Sequence, residues 1–297
     1  MSVLERIQIL PKSIKKDATF NVIILNTPLL KNSYNGRLLG MTLAEWVAFA
    51  CQGLNISVVD YNASDNILQL CREYIDCKYD YTIILLSRTP LIQSSTIQDI
   101  KEFCIYKDIS ICKLPVGYVV NNNKIADLDG TMLDSLYSQN IDDFYIVETK
   151  KQMDYACNIL QDRINNFHIA NGVDIIKPAT TYIEPQVDIG CGAIIYSGNT
   201  LKGNTIIGEN VILKENNVID NSVIGKDSCI SSSIITNSRL SPSVYVSAFC
   251  EINNTIIETN TTIGGSSQLF HQQISGNQKI APNTTLGENN DSNSGAR

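Results

Sequence analysis

The chain has 297 residues, of which 43% are hydrophobic and 18% are charged, and its formal net charge is −7. These values are ordinary for a globular protein of one or two domains. The acidic balance argues against nucleic acid or an anionic membrane surface as the main partner. No stretch approaches 18 consecutive apolar residues, and the first residues are too charged for a secretory signal. The composition therefore predicts a cytoplasmic protein with no membrane segment.

Nine cysteines are scattered through the chain without a C-x-x-C pair. Their odd number and irregular spacing favour reduced, buried thiols over a disulfide framework. The two histidines, His168 and His271, lie far apart in the sequence. A zinc site is therefore not expected.

The first half alternates strand-like and helix-like segments. Strands are predicted at 20–25, 56–61, 81–87, 109–115 and 117–120, and helices at 41–54, 64–77 and 95–107. This alternation is typical of a parallel-rich sheet covered by helices. A long helix follows from about Lys150 to Asn171 and ends at Gly172. We therefore predict an α/β domain over 1–149 and a linker helix over 150–172.

The second half repeats an aliphatic residue every sixth position, with occasional steps of five. These positions are Ile183, Ile189, Ile195, Leu201, Ile207, Leu213, Ile219, Ile224, Ile230, Ile235, Leu240, Val246, Ile252, Ile257, Ile263, Leu269, Ile274, Ile280 and Leu286. A period of six fits neither an amphipathic helix nor a simple alternating strand. It predicts a left-handed parallel β-helix over 173–287, with one aliphatic residue per face pointing into the shaft and about six coils. The tail over 288–297 lacks such residues and is predicted to be disordered.

The junction between the two halves resembles one enzyme family. In DRINNFHIANGVDIIKPATTYIEPQVDIG, over 162–190, an Arg-Ile-Asn helix leads to Gly-Val and then to a Thr-Tyr-Ile that opens the β-helix. This stretch and the spacing after it resemble the bifunctional N-acetylglucosamine-1-phosphate uridylyltransferase/glucosamine-1-phosphate acetyltransferase family, although Lys177 replaces the usual Asp. The resemblance implies a nucleotidyltransferase-like, Rossmann-like domain that uses Mg²⁺ to transfer UMP from UTP. It also implies a β-helix that trimerises and acetylates glucosamine 1-phosphate with acetyl-CoA.

The uridylyltransferase motifs of that family are missing or altered in this chain. The glycine-rich phosphate loop corresponds to residues 26–40, which lack the loop's glycine pattern. Lys31 and Arg37 are either phosphate contacts or, as we prefer, solvated loop charges. The uracil-recognition segment has no counterpart between the second and third strands. The Gly-Asp-Thr-Pro-Leu motif corresponds to residues 87–91, so Arg88 stands where the family has the Asp that holds Mg²⁺. Because a cation does not bind a cation, this change removes that metal site.

The second metal ligand of the family is an Asn before the linker helix. Counting back without gaps from Arg163 places Glu148 at its position. We therefore expect Arg88 and Glu148 to form an ion pair in a degenerate metal site. The alternative is that they are two unrelated surface charges.

The acetyltransferase residues of the family are replaced as well. The resemblance places Asn253 and Phe270 where the family has the Arg and Lys that bind the sugar phosphate, and Pro282 where it has the catalytic base. His271 is a local alternative for that base, but the register of the shaft residues argues against it. By the same resemblance, the chain is expected to end before the coils that bind acetyl-CoA.

Two functions remain in view. The preferred one is a degenerate homologue without either activity and without a cofactor, acting as a homotrimeric scaffold, a regulator or a sugar-nucleotide binder in cell-envelope precursor metabolism. The alternative is an active sugar-phosphate nucleotidyltransferase or acetyltransferase with rebuilt site residues.

Overall fold

A computed structural model describes residues 18–26, 37–61, 73–124 and 135–288, in two compact units that divide between Ala156 and Cys157. The strands of the first unit are β1 (Phe20–Asn26), β2 (Arg37–Leu38), β3 (Met41–Thr42), β4 (Asn55–Asp60), β5 (Tyr81–Leu86), β6 (Ile111–Lys113), β7 (Tyr118–Asn121) and β8 (Ser135–Leu136). Its helices are α1 (Leu43–Ala50), α2 (Ser94–Lys107) and a 3₁₀ helix (Ile141–Phe144). Helix α3 (Lys150–Ala170) begins in the first unit and continues into the second.

The first unit is built on a six-stranded sheet of order β4-β1-β5-β7-β6-β8. Strand β1 pairs in parallel with β4 and β5, as the sequence predicts, whereas β7 runs antiparallel to β5 and β6. Successive apolar residues face opposite sides of the sheet, so Val22 and Ile83 join one core while Ile23 and Ile84 join the other. The sheet is mixed because the turn around Gly117 returns the chain as a hairpin, which alternation alone does not predict.

Local capping sets the ends of the helices. Thr42 Oγ1 accepts the Glu45 N–H at 3.2 Å, and the Glu45 carboxylate accepts the Thr42 N–H at 2.6 Å. This capping box starts α1 two residues later than predicted, and the helix ends before Gly53, whose φ is +86°. The predicted helix over 64–77 lies largely outside the described residues, as does the tail. In the parts of the chain described, no helix is long and apolar enough to cross a membrane.

The second unit is a parallel β-helix with three faces. Face 1 contains β10 (Tyr182–Ile183), β13 (Thr200–Lys202), β16 (Val218–Asp220), β19 (Ile234–Thr236), β22 (Glu251–Asn253), β25 (Gln268–Phe270) and β28 (Thr285–Leu286). Face 2 contains β11 (Asp188–Ile189), β14 (Ile206–Ile207), β17 (Val223–Ile224), β20 (Arg239–Leu240), β23 (Ile256–Ile257) and β26 (Gln273–Ile274). Face 3 contains β9 (Asp174–Ile175), β12 (Ile194–Ile195), β15 (Ile212–Leu213), β18 (Cys229–Ile230), β21 (Tyr245–Val246), β24 (Thr262–Ile263) and β27 (Lys279–Ile280).

The predicted inward residues form the shaft. Those from Ile183 to Ile274 are buried together, and Ile280 and Leu286 pack partly buried against them. Faces of seven, six and seven strands make about seven coils, so the predicted six is wrong. The missed position is Ile175, which precedes an irregular 3₁₀ turn (Pro178–Thr180) and therefore falls outside the six-residue period.

The corners of the β-helix are formed by residues with positive φ. They are Gly192, Gly198, Gly203, Asn210, Asn216, Asn221, Asp227, Ser232, Asn237, Ser243, Phe249, Asn254, Asn260, Ser266, His271, Asn277, Asn283 and Gly287. Glycine and asparagine adopt this conformation most easily, whereas Phe249, at φ 65° and 76% exposed, is an outlier. Four of the steps of five residues occur at the corner from face 1 to face 2. In those four coils the connection at this corner is one residue shorter than elsewhere.

The described cysteines form no disulfide with one another. Cys51, Cys104, Cys112, Cys229 and Cys250 are buried, as expected for unreactive thiols. Burial raises the pKa of Cys51 to about 12. Cys77 and Cys191 are exposed, so the expectation of buried thiols is wrong for these two.

Candidate functional site

Arg88 lies just beyond the carboxyl end of the central strand β5. The Ser87 N–H donates to the Leu25 carbonyl at 2.9 Å, which extends the pairing with β1 by one residue. The Thr89 hydroxyl then donates to the Leu86 carbonyl at 2.8 Å and closes a tight turn. Residue 88 is thus held at the end of a buried strand, where an α/β sheet usually presents its functional side chains.

Glu148 reaches the same place from the residue before the N-cap of α3. The Gln152 N–H donates to Thr149 Oγ1 at 3.3 Å, and Gln152 Oε1 accepts the Thr149 N–H at 2.9 Å. This reciprocal pair is a capping box and fixes where the helix begins. The Val147 N–H also donates to the Arg88 carbonyl at 2.8 Å. The backbone therefore holds Glu148 next to Arg88.

The side chains of Arg88 and Glu148 form the expected ion pair. Arg88 Nη1 lies 2.9 Å from Glu148 Oε1, and the two side chains are 19% and 52% exposed. This position does not fit Mg²⁺, because it presents a guanidinium group where an oxygen ligand is needed. Among the residues described, no group of three or more His, Cys, Asp or Glu side chains is placed to hold a metal. That the pair occupies a former metal site stays a prediction.

A double-mutant cycle measures the coupling of this pair. We expect Arg88→Ala and Glu148→Ala to be coupled by about 1 kcal/mol in the free energy of unfolding, and the coupling to shrink in high salt. The matched control is the more exposed pair of Lys124 and Asp108, whose charged atoms lie 3.2 Å apart. Its coupling should be close to zero. Equal coupling of the two pairs would contradict a special role for the Arg88–Glu148 contact.

The other predicted contacts of the first unit are only partly described. Arg37 Nη1 donates to the Gly40 carbonyl at 2.7 Å in the small hairpin of β2 and β3. Its guanidinium group is exposed, and its proposed contact with phosphate stays a prediction. Lys31 lies outside the described residues.

His271 lies at the corner from face 1 to face 2, with φ 55°. Its Nδ1 is 2.7 Å from Asn254 Nδ2. This contact places the Asn254 side chain against one of the two ring nitrogens. The role of His271 as catalytic base stays a prediction.

The structure describes all three residues that the resemblance assigns to the family's acetyltransferase site. Asn253 and Phe270 are buried and uncharged at the ends of their face 1 strands. Pro282 lies in the turn between β27 and β28. The predicted register of the shaft, from which these positions were derived, is confirmed by the strand pairing of face 1.

Beside His271 runs a groove that the sequence analysis did not identify. It is an open depression with a volume of about 480 Å³. Its lining includes the corner residues Asn221, Asn237, Asn254 and His271 and the outward residues Val223, Arg239, Ile256 and Gln273 of face 2. Arg239 is the only Arg, Lys, Asp or Glu residue in this lining. The steps of five residues are the feature of the sequence that could have pointed to this groove, since four of them fall at this one corner.

Comparison with known proteins relates the β-helix to one family. The family described as "GlmU-like, C-terminal hexapeptide" matches residues 209–296. The bifunctional protein GlmU of Clostridium beijerinckii is 36% identical over 143 residues, which cover 48% of this chain and 31% of that protein. The GlmU of Thermoanaerobacter pseudethanolicus is 25% identical over 293 residues, which cover 90% of this chain and 62% of that protein. The chain thus spans less than two thirds of the length of these curated relatives.

Solved structures add little to this comparison. A mutant of perosamine N-acetyltransferase from Caulobacter crescentus, in complex with CoA and GDP-perosamine, shares 11% identity at a TM-score of 0.33. The match covers 87% of this chain and 92% of that chain. A likeness at this level supports no conclusion about activity.

Proposed function

From its relationship to the bifunctional GlmU proteins, we propose that this chain is a non-catalytic relative of that sugar-nucleotide and acyltransferase group. In this proposal it performs neither uridylyl nor acetyl transfer and acts as a homotrimeric scaffold that binds a sugar nucleotide in cell-envelope precursor metabolism. The proposal includes a nucleotidyltransferase-like origin for the first unit and a left-handed sense for the β-helix. The observation that carries it is the ion pair of Arg88 and Glu148.

The ion pair is relevant to function because phosphoryl transfer needs a cation that neutralises the negative charge of the phosphate groups. Mg²⁺ bridges phosphate oxygens in such reactions and needs carboxylate, carbonyl or amide oxygens around it. At the end of β5 the fixed positive charge is the guanidinium group of Arg88, and the carboxylate of Glu148 already forms an ion pair with it. A divalent ion entering this position would meet a guanidinium group and would have to break the pair. The arrangement therefore favours binding of an anion or no ligand over metal-dependent chemistry.

The proposed self-association rests on the resemblance of the β-helix to a family of hexapeptide β-helices, which are typically trimeric. The exposed apolar side chains are spread over all three faces and one corner, so they do not by themselves locate an interface. They are Ile206, Ile234, Ile256, Tyr245 and Phe249. The proposed trimer would give a mass near three times 32.8 kDa by light scattering. A monomer at micromolar concentration would contradict it.

The proposed lack of catalysis is tested directly by turnover. With UTP, N-acetylglucosamine 1-phosphate and Mg²⁺, we expect no pyrophosphate above a blank without protein. With acetyl-CoA and glucosamine 1-phosphate, we expect no release of free CoA. A full-length bifunctional GlmU, assayed alongside, shows that both assays work. Mg²⁺-dependent pyrophosphate release by this chain would overturn the proposal, whereas calorimetric binding of UDP-N-acetylglucosamine without turnover would support it.

A further inference from the structure

We propose that the outer edge of strand β4 pairs with the β4 edge of a second copy of this chain and joins the two sheets across a two-fold axis. The contact is an interaction surface of the first unit, formed by the backbone of Ile56, Val58 and Asp60. It does not rest on the proposed function, and it is independent of the proposed trimer.

The two edges of the six-stranded sheet end in strands of very different length. On one side the outermost strand is β4 with six residues, and on the other side it is β8 with two. In the part of the chain that the structure describes, no strand pairs with β4 on its outer side. Short strands, lysines, prolines and bulges usually protect a sheet edge from pairing with another chain. The sequence of β4, NISVVD, has neither lysine nor proline, and its pairing with β1 is continuous, so this edge lacks that protection.

The backbone of β4 points alternately towards β1 and away from it. The Tyr61 N–H donates to the Asn26 carbonyl at 2.8 Å, just beyond the end of the strand. Residues two positions apart point in the same direction in such a ladder, so the odd-numbered residues of β4 face β1. The N–H and C=O groups of the even-numbered residues, Ile56, Val58 and Asp60, therefore point outward. Val58 is 54% exposed, so the middle of this row is open to a partner.

The one charged side chain of the strand does not block this edge. Asn26 Nδ2 donates to Asp60 Oδ1 at 2.8 Å, which holds the carboxylate back towards β1. Asp60 is also the last residue of β4, so every position before it is uncharged. A strand that approaches the edge therefore meets no repulsive group along the rest of β4.

The edge is complementary to itself in an antiparallel register centred on Val58. In this register Val58 lies opposite its own copy, and Ile56 lies opposite Asp60 of the second copy. Because a two-fold axis through Val58 pairs even positions with even positions, each outward N–H and C=O group meets a partner. The two Asp60 carboxylates stay apart, and the two Val58 side chains pack against each other on one face of the joined sheet.

A second copy is the occupant that this edge fits. A strand from another protein would need an apolar side chain opposite Val58 and no acidic group opposite Asp60, and β4 itself meets both conditions. A two-fold pair also closes, so it leaves no free β4 edge for further growth. One pair of strands forms a small contact, so the association should be reversible and depend on protein concentration.

Disulfide trapping on the full chain tests the register. The Cα atoms of a hydrogen-bonded antiparallel pair lie about 5.5 Å apart, which a disulfide can span. Val58→Cys, oxidised with diamide, should therefore give a band of two chains on a non-reducing gel. This band should be at least tenfold stronger than in the wild type, whose own exposed thiols are Cys77 and Cys191. The matched control is Tyr106→Cys, at a position 45% exposed on α2, which should stay at the wild-type level.

Two further variants separate pairing from folding. Val58→Pro removes an outward N–H that the ladder with β1 does not use, and Val58→Lys places two like charges opposite each other. Both should keep the thermal unfolding temperature, while the wild type at high concentration should have at least about twice their mass by light scattering. The inference is overturned if Val58→Cys gives no band of two chains, if Tyr106→Cys gives an equal one, or if Val58→Lys keeps the wild-type mass. These variants leave the β-helix and the residues at the end of β5 unchanged, so failure of the edge pairing and failure of the proposed function remain distinguishable.

Discussion

Replacing Ile235 with Ala is expected to lower the free energy of unfolding by about 2–5 kcal/mol, whereas replacing Ile234 should change it by less than about 0.5 kcal/mol. The two isoleucines are adjacent in β19 and lose the same atoms on substitution. Ile235 is fully buried in the shaft, while Ile234 points outward and is 49% exposed. Only the inward substitution leaves a cavity that the neighbouring coils cannot fill.

Urea unfolding of both variants, followed by circular dichroism, measures this difference. Because coils stabilise one another through nearest-neighbour contacts, loss of one inward residue should weaken the whole β-helix rather than one coil. Equal effects of the two substitutions would contradict the assignment of inward and outward faces. Light scattering on Ile234→Ala separates any loss of association from a loss of folding stability.

Replacing Gly117 with Ala is expected to destabilise the first unit by at least about 3 kcal/mol, since strain and overlap add. Gly117 has φ +113°, and a Cβ placed there would overlap the Ile84 carbonyl oxygen. Ile84 belongs to β5, and its partner in the antiparallel ladder is Tyr118. The substitution would therefore separate β7 from the strand that ends at Arg88.

Gly53 provides the matched control for this substitution. Its φ is +86°, but a Cβ placed there meets no atom within 4 Å. Gly53→Ala should therefore carry only the cost of the backbone conformation, about 1 kcal/mol. Thermal unfolding of the two variants separates conformational strain from steric overlap. If Gly117→Ala destabilises the protein no more than Gly53→Ala does, then the hairpin does not approach β5 as closely as the structure shows.

The parts of the structure that the sequence predicted well are those where one physical requirement repeats. Every coil needs an aliphatic residue on each face, so the shaft from Ile183 onward follows from spacing alone. The ion pair was predicted by counting back without gaps from Arg163, which led to Glu148. Glu148 lies two residues before α3 begins and is in contact with Arg88.

The parts that the sequence did not predict depend on contacts between elements. The antiparallel direction of β7 follows from a tight turn rather than from the pattern of its own residues. The first coil was missed because an irregular turn separates Ile175 from Ile183. Arg239 was missed because outward residues obey no period, and the groove exists only once successive coils are stacked. The functional residues on the outside of a solenoid are therefore harder to predict from its sequence than the residues of its core.

The stacking of coils also restricts how the length of this chain can change. Inward residues that stack in neighbouring coils of face 1, such as Ile235 and Ile252, lie 17 residues apart in the sequence. Removal or duplication of one whole coil would bring equivalent residues back into contact. A change of a few residues within a strand would instead rotate inward side chains towards solvent along the rest of the shaft. The β-helix can thus grow or shrink only in whole turns, while its corners, where coils already differ by one residue, absorb the smaller insertions.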